Sequence, residues 1–385
     1  MRIEPQMAAP TRVNRSFRFR IYPTRRQRLA LEAQLGFACD LYNAALEQRR
    51  YAWRAGQRVG YVSQCRELTV LRAAGDGPPQ MSCSAMRSPL RRLDRAYQAF
   101  FRRVKAGDTP GYPRFRSRRR YDSLTWDSAW SIQQRRLALQ GIGHLKVKWH
   151  RELPASAKVS TVTVRRVVGR WYASFALALQ VFPVPDRKSM PAVGVDLGVQ
   201  NFAALSTGEL IPGPRAYRAA LRKLRVAQRR VSRRVKGSRR RRKAGLLLAR
   251  LHERIRNLRR NHAHQLSRRL ISDFSLIAVE DLHFRALSRG FLAKDINDQG
   301  WAEFSKLLGY KAEDAGIQVV RVPPGGTSQA CSGCGTLVPK LLSERIHQCP
   351  SCGLVVDRDI NAARNILRLG MSRQAPTWPS GACVA

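Results

Sequence analysis

The chain has 385 residues, of which 71 are Lys or Arg against 26 Asp or Glu, giving a formal net charge of +45. Its 44% hydrophobic content excludes a disordered basic tail, and so large a cationic surplus calls for a polyanionic partner. No stretch reaches the roughly 18 to 20 apolar residues of a membrane span, and MRIEPQMAAPTRVNRSFRF at the N-terminus lacks the apolar run of a secretory signal, so the expected setting is cytoplasmic, with nucleic acid rather than membrane as partner.

Alternation from Val13 to Tyr22 predicts a strand, and Thr24 after Pro23 is a candidate N-cap for a helix over RRQRLALEAQLGFACDLYNAAL, with Leu29, Leu31, Leu35, Leu41 and Leu46 contributing to its apolar face. A helical block continues to SPLRRLDRAYQAFFRRVKAG, and the Gly- and Pro-rich GDTPGYPRF then marks an exposed loop where basic and aromatic residues interleave. Residues 158–167 and 171–182 alternate as two strands around a turn at Gly169, and Pro183 and Pro185 put a domain boundary near 185–191. Beyond it, PAVGVDLGVQNFAALSTGE predicts a strand ending at an acid, a turn and a second strand. Two basic helices follow from Arg215 to Arg269, with helical spacing in Leu221, Leu224 and Val231 and again in Leu247, Leu251, Ile255 and Leu258, and with GSRRRR at 237–242 as their connection. The strand SLIAVE, a helix starting near Gln299 and the strand GIQVVRV complete an alternation that predicts an α/β catalytic domain.

Four of the eight cysteines form two pairs, Cys331–Cys334 and Cys349–Cys352, each followed by glycine (Gly335 and Gly353). Four thiolates at this spacing suit one tetrahedral zinc, and because protein thiolates fill every position the zinc is structural, a staple for a small ribbon. Cys39, Cys65, Cys83 and Cys383 are scattered and carry no such pattern. Three carboxylates stand out by position: Asp196 and Glu280 each end an apolar strand, and Asp359 stands where a helix begins. Gly194 and Gly198 flank the first acid and are expected to leave room for a phosphodiester. Acids converging in this way would hold the hard Mg²⁺ or Mn²⁺ ions of phosphodiester hydrolysis, although any one Asp in a basic protein is more often an ion-pair partner. His262, His264, His283 and His347 lack ligand spacing, and His264 is expected to pack or contact RNA.

From RFRIYPTRRQ through GYPRFRSRRR, GVDLGVQNFAALS, IAVEDL, DINDQGWAEFSKLLGYKAEDAG and TSQACSGCG to CPSCGLVVDRDINAARNIL, the sequence resembles the transposon-encoded TnpB (OrfB) family, compact relatives of type V CRISPR effectors. The resemblance implies an RNA-guided endonuclease that cleaves double-stranded DNA beside a short flanking motif, using a guide RNA from the transposon end and acting as one monomer per RNA. A guided DNA-binding regulator without cleavage is the alternative. The implied architecture is a WED-like N-terminal β-barrel over 1–190 with a helical recognition insertion at about 25–120, a RuvC-like nuclease domain of RNase H fold over 191–325 and 354–370 carrying the basic helical insertion, a zinc ribbon at 326–353 and a tail at 371–385. Asp196, Glu280 and Asp359 become the catalytic acids, with Asp281 supporting its loop and Asp357 capping the helix that follows. Arg87 and Ser123 are candidates for reading the flanking motif. Tyr51, Trp53, Tyr61, Tyr112 and Phe115 are candidates for stacking on bases, the alternative for each being a place in the core.

Overall fold

The computed structural model describes residues 11–75, 81–181, 189–290, 293–341 and 344–372. It divides into two compact units, one spanning Thr11–Val181 and the other containing the described residues from 189 onward. The sequence-derived boundary near 185–191 and most of the tail from 371 lie outside the described residues.

In the first unit, β1 (Thr11–Tyr22) leads into α1 (Arg25–Arg54), α2 (Tyr61–Ala73) and α3 (Cys83–Lys105), followed by β2 (Ser123–Trp126), β3 (Trp130–Gln133), β4 (Arg136–Leu139), β5 (Gly143–Lys148), β6 (Lys158–Val167) and β7 (Arg170–Val181). The α1 start is a reciprocal cap: Thr24 Oγ1 accepts from Gln27 N, and the Gln27 side chain accepts from Thr24 N. The buried stripe of this helix runs through Leu31, Leu35, Ala38, Tyr42, Ala45 and Arg49, which leaves Leu29 on the opposite side and 59% exposed. The seven strands form one antiparallel sheet in the order β2-β6-β7-β1-β5-β4-β3. Strands β2 and β3 do not pair with each other, so the barrel-like sheet is open along that side, a half-barrel. Trp126, Tyr42, Tyr121, Phe19 and Phe175 fill its core.

The second unit contains β8 (Ala192–Asp196), β9 (Ala203–Leu205), β10 (Leu210–Ile211), α4 (Ala216–Ser232), α5 (Arg239–Asp273), β11 (Leu276–Glu280), α6 (Phe284–Leu287), α7 (Ala293–Gln299), α8 (Trp301–Ala315), β12 (Gln318–Val322), β13 (Ile346–Gln348), β14 (Val355–Asp357) and α9 (Arg358–Ser372). Its five-stranded sheet has the order β10-β9-β8-β11-β12, with β8, β11 and β12 parallel and β9 and β10 antiparallel to their neighbours. The apolar runs VGV and IAV suit parallel strands covered on both faces. Val193, Val195, Ile277 and Val279 pack with Ala263, Leu266 and Leu270 of α5 and with Phe304, Leu307 and Leu308 of α8. On the other face Ala278 and Val322 pack with Ile366 of α9. The basic helices are joined by residues 233–238, and Arg239–Arg242 belong to the first turn of α5, because Ser238 Oγ caps it by accepting from Arg241 N.

Small residues set the approach of α9 to the sheet. A Cβ on Gly194 would lie 2.0 Å from Ala363 O and 2.7 Å from Leu367 N, and one on Gly370 would lie 2.5 Å from Ala278 Cβ. The space beside Gly194 is therefore filled by a helix backbone and is not open to substrate as the sequence suggested. Gly194→Ala is expected to lower stability by at least the about 1–3 kcal/mol of an overpacked core, whereas Gly309→Ala in α8, with nothing within 4 Å of its Cβ, stabilises by up to about 1 kcal/mol through helix propensity. Chemical denaturation of the two variants checks the contrast.

Candidate functional site

In parallel register Val195 of β8 stands opposite Val279 of β11, so the next residues, Asp196 and Glu280, leave adjacent strands at one level. Asp196 also pairs with Ala204 of β9, and Glu280 with Val322 of β12. The third acid comes from α9. Asp357 Oδ1 accepts from Asp359 N at 2.8 Å and Ile360 N at 3.2 Å, starting this helix as a side-chain cap. A Cβ on Gly198, in the loop after β8, would lie 3.3 Å from Asp359 Oδ2, so that loop closes over the third carboxylate. Burial, then Glu280, then Asp359 push the Asp196 carboxyl up to about 8. Burial and the neighbouring Asp357 also raise Asp359, while Arg345 and Arg358 pull it down. The three acids thus share one field.

Further groups hold the acids in place. Thr327 Oγ1 donates to Glu280 Oε1 at 2.7 Å. Arg345 Nη1 lies 3.9 Å from Asp359 Oδ1. Asp281 pairs with Arg321 of β12 at 2.8 Å, and Asp357 caps the helix that follows, as expected. Thr327, Arg345 and the pair Asn361 and Asn365 are site residues that sequence reasoning missed. The asparagines carried a signal, two polar residues four apart on the apolar face of a helix, and both prove buried.

The four cysteines meet. Their Sγ atoms all lie within 4.8 Å of one another, with Cys331 to Cys352 at 3.6 Å and Cys334 to Cys349 at 3.5 Å. A tetrahedron with Zn–S of about 2.3 Å has an edge of about 3.8 Å, so the quartet fits one zinc ion. Gly335 N donates to Cys331 O and Gly353 N to Cys349 O, and both glycines adopt positive φ, at 83° and 71°. The hairpin β13–β14 completes the ribbon. Within it His347 is buried against Lys340, and burial and that ammonium lower its pKa.

A third feature is cationic. Residues 215–269 carry 22 Lys and Arg and one carboxylate, Glu253. On α4, Leu224 and Ala216 are buried with Ile255 of α5, while Arg222, Arg225 and Arg229, with Arg233 at its C-cap, form an exposed stripe with no ion-pair partner among the described residues. Arg218, one turn before the stripe, is tied to Asp295. Buried Asp298 caps α4 by accepting from Tyr217 N and Arg218 N. His262 packs edge-on against Phe202.

In the first unit, Arg87 of α3 and Tyr51 of α1 are exposed, Tyr51 at 74%. Ser123 of β2 is engaged internally, its Oγ and carbonyl both accepting from Arg92 Nη2 at 3.0 Å. Trp53 and Phe115 are exposed, and Arg50 lies over the Tyr112 and Phe115 rings. Tyr61 is half-buried.

Comparison with known proteins adds to this geometry. Residues 175–289 match a family model described as a probable transposase of the OrfB type found in IS605 elements, residues 301–366 a Cas12f1-like TNB domain, and residues 7–58 a helix-turn-helix domain. A Streptomyces pristinaespiralis protein named as a candidate RNA-guided DNA endonuclease is 37% identical over 373 residues, covering 94% of this chain and 91% of that protein. A similarly named Escherichia coli K12 protein is 29% identical, covering 92% of each. Among solved structures, a Cas12f1–sgRNA–target DNA complex superposes with a TM-score of 0.60 at 13% identity over 92% of this chain and 98% of that one, a likeness of fold. With a relative this similar along nearly its whole length, the chain belongs to the OrfB (TnpB) family.

Proposed function

We propose that this protein is an RNA-guided endonuclease of a transposable element, which cleaves double-stranded DNA beside a short flanking motif by hydrolysis at one acidic site. The reading is carried by the convergence of Asp196, Glu280 and Asp359, with the Asp196 carboxyl pushed up to about 8 by burial and by the other two. The strand order β10-β9-β8-β11-β12, with three antiparallel strands followed by two parallel ones, supports a RuvC-like domain of RNase H fold. The naming of full-length relatives as RNA-guided DNA endonucleases supports the substrate class. The first unit then serves as the WED-like and recognition part that holds guide RNA and the flanking motif. Arg87 and Tyr51 are available to nucleic acid there, and Ser123 contributes indirectly through Arg92.

Carboxylates in one field with so few counter-charges fit hard divalent cations, Mg²⁺ or Mn²⁺, which when bound activate water and stabilise the leaving oxygen. The protein's own part is to hold the donors. The ends of β8 and β11 fix Asp196 and Glu280 at one level, α9 delivers Asp359 from the opposite face, and the Gly198 loop covers the third acid. Presence of all three acids disfavours a guided DNA-binding regulator. The cysteine ribbon holds structural zinc, and the α4 stripe follows nucleic-acid phosphates, its arginines rising about 4.5–6 Å per step along the helix.

Asp196→Ala and Glu280→Ala are expected to abolish cleavage of a plasmid bearing the guide-matched target while RNA-dependent target binding persists; a cutting Asp196→Ala protein would refute the assignment. The pH dependence follows from the raised carboxyl. Without divalent metal the folded protein holds the Asp196 proton more tightly than the unfolded chain, so stability falls as pH rises from about 4 through about 8. Chelated wild type is therefore expected to lose stability relative to Asp196→Asn over that window, with Mn²⁺ restoring it, as followed by denaturant titration at several pH values. Replacing Arg222, Arg225 and Arg229 with Gln is expected to reduce the salt slope of nucleic-acid binding by roughly 0.7–0.9 per arginine. An unchanged slope would mark α4 as a merely solvated face.

A further inference from the structure

We infer that Thr327 positions the Glu280 carboxylate, and that through this residue the zinc ribbon sets the geometry of the acid cluster; the inference rests on the reading of the acids given above. Thr327 is 6% exposed, and its hydroxyl donates its one hydrogen to Glu280 Oε1 at 2.7 Å. That bond is the side-chain hydrogen bond received by Glu280 among the described residues. It holds one carboxylate oxygen and leaves the other available.

The main chain around Thr327 is clamped from α9. Asn365 Nδ2 donates to Thr327 O at 2.8 Å and to Ala330 O at 2.7 Å. One turn earlier, Asn361 Nδ2 donates to Ala330 O at 2.8 Å, and Asn361 Oδ1 accepts from Ser332 N at 2.9 Å. Between Ala330 and Ser332 stands Cys331, buried and within the thiol quartet. Closing the thiols therefore fixes one end of the segment 327–332, and the two asparagines fix its length against the same helix that begins with Asp359. Thr327 is where that segment touches the sheet-borne acid. Two of the three acids, Glu280 and Asp359, are thus referred to a single element, α9, with the thiol quartet holding the far end of the segment between them.

The test uses the full-length protein with its bound RNA. Mn²⁺ is titrated by electron paramagnetic resonance into wild type, Thr327→Val, Thr327→Ser and Asp196→Ala, with zinc content, RNA affinity and thermal melting measured in parallel. Thr327→Val keeps the shape and removes the donor, so it is expected to weaken Mn²⁺ binding about tenfold or more and to raise the Mg²⁺ concentration for half-maximal cleavage, with zinc content and RNA affinity unchanged. Thr327→Ser restores the donor and is expected to recover most of the affinity. Wild-type Mn²⁺ affinity in Thr327→Val, or equal losses in the Val and Ser variants, would overturn the inference while leaving the acids in place. If wild type holds no Mn²⁺ that Asp196→Ala abolishes, the reading of the acids falls and this inference with it.

Discussion

The contact on which the second unit depends is the approach of α9 to the sheet at Gly194. A helix normally rests on a sheet through side chains, but here its backbone at Ala363 and Leu367 comes to where a Cβ would stand. A hydrogen atom in place of a methyl group decides how deep the helix sits. Depth then decides where the proposed acid cluster forms, because the first turn of α9 carries Asp359, and Asn361 and Asn365 on the same helix hold the segment that reaches Glu280. A helix displaced outward would take the third acid and the support of the second with it.

Electrostatics opposes this arrangement. Asp196, Glu280 and Asp359 repel one another, and burial together with the other two acids pushes the Asp196 carboxyl up to about 8. A protein selected for stability alone would separate these groups or match each with a cation. Instead Arg345 stands 3.9 Å from Asp359, with nearly half its side chain in solvent, a distance that neutralises little. The unfavourable charge is offset by packing, through the apolar runs of β8 and β11 covered on both faces. Strain of this kind, held by a well-packed frame, is expected of an acidic site that becomes favourable only with cations bound.

Much of this was readable from residues alone, for identifiable reasons. The thiol quartet was legible because zinc ligation imposes a spacing, and Thr24 and Asp357 because helix caps need a side-chain oxygen at one position. The acids were legible as strand ends and as matches to a family pattern. The strands at 123–148 were not, since each is only four to six residues long and turns such as Gln134–Arg135 take positive φ without glycine. Arg239–Arg242 looked like a linker because four cations at a helix start oppose its dipole; Ser238 starts the helix regardless. Gly194 was misread for a deeper reason. A sequence shows that a glycine leaves space but not which neighbour takes it.

The α4–α5 hairpin follows from the same balance of packing against charge, with the opposite sign. Its own buried cluster is small, Ala216, Leu224 and Ile255 with a few half-buried neighbours, yet it belongs to a stretch with 22 cationic residues and one acid. Apolar burial on this scale supplies a few kcal/mol, against mutual repulsion that falls off only over a Debye length of about 8–10 Å in physiological salt. The hairpin is therefore the part of the unit whose order depends most on counter-charge from outside the chain. A polyanion laid along the α4 stripe, as proposed, would relieve that repulsion directly. In the proposed reading cations complete the acid cluster and anions the basic hairpin, so each charged feature takes the charge that the chain itself does not supply there.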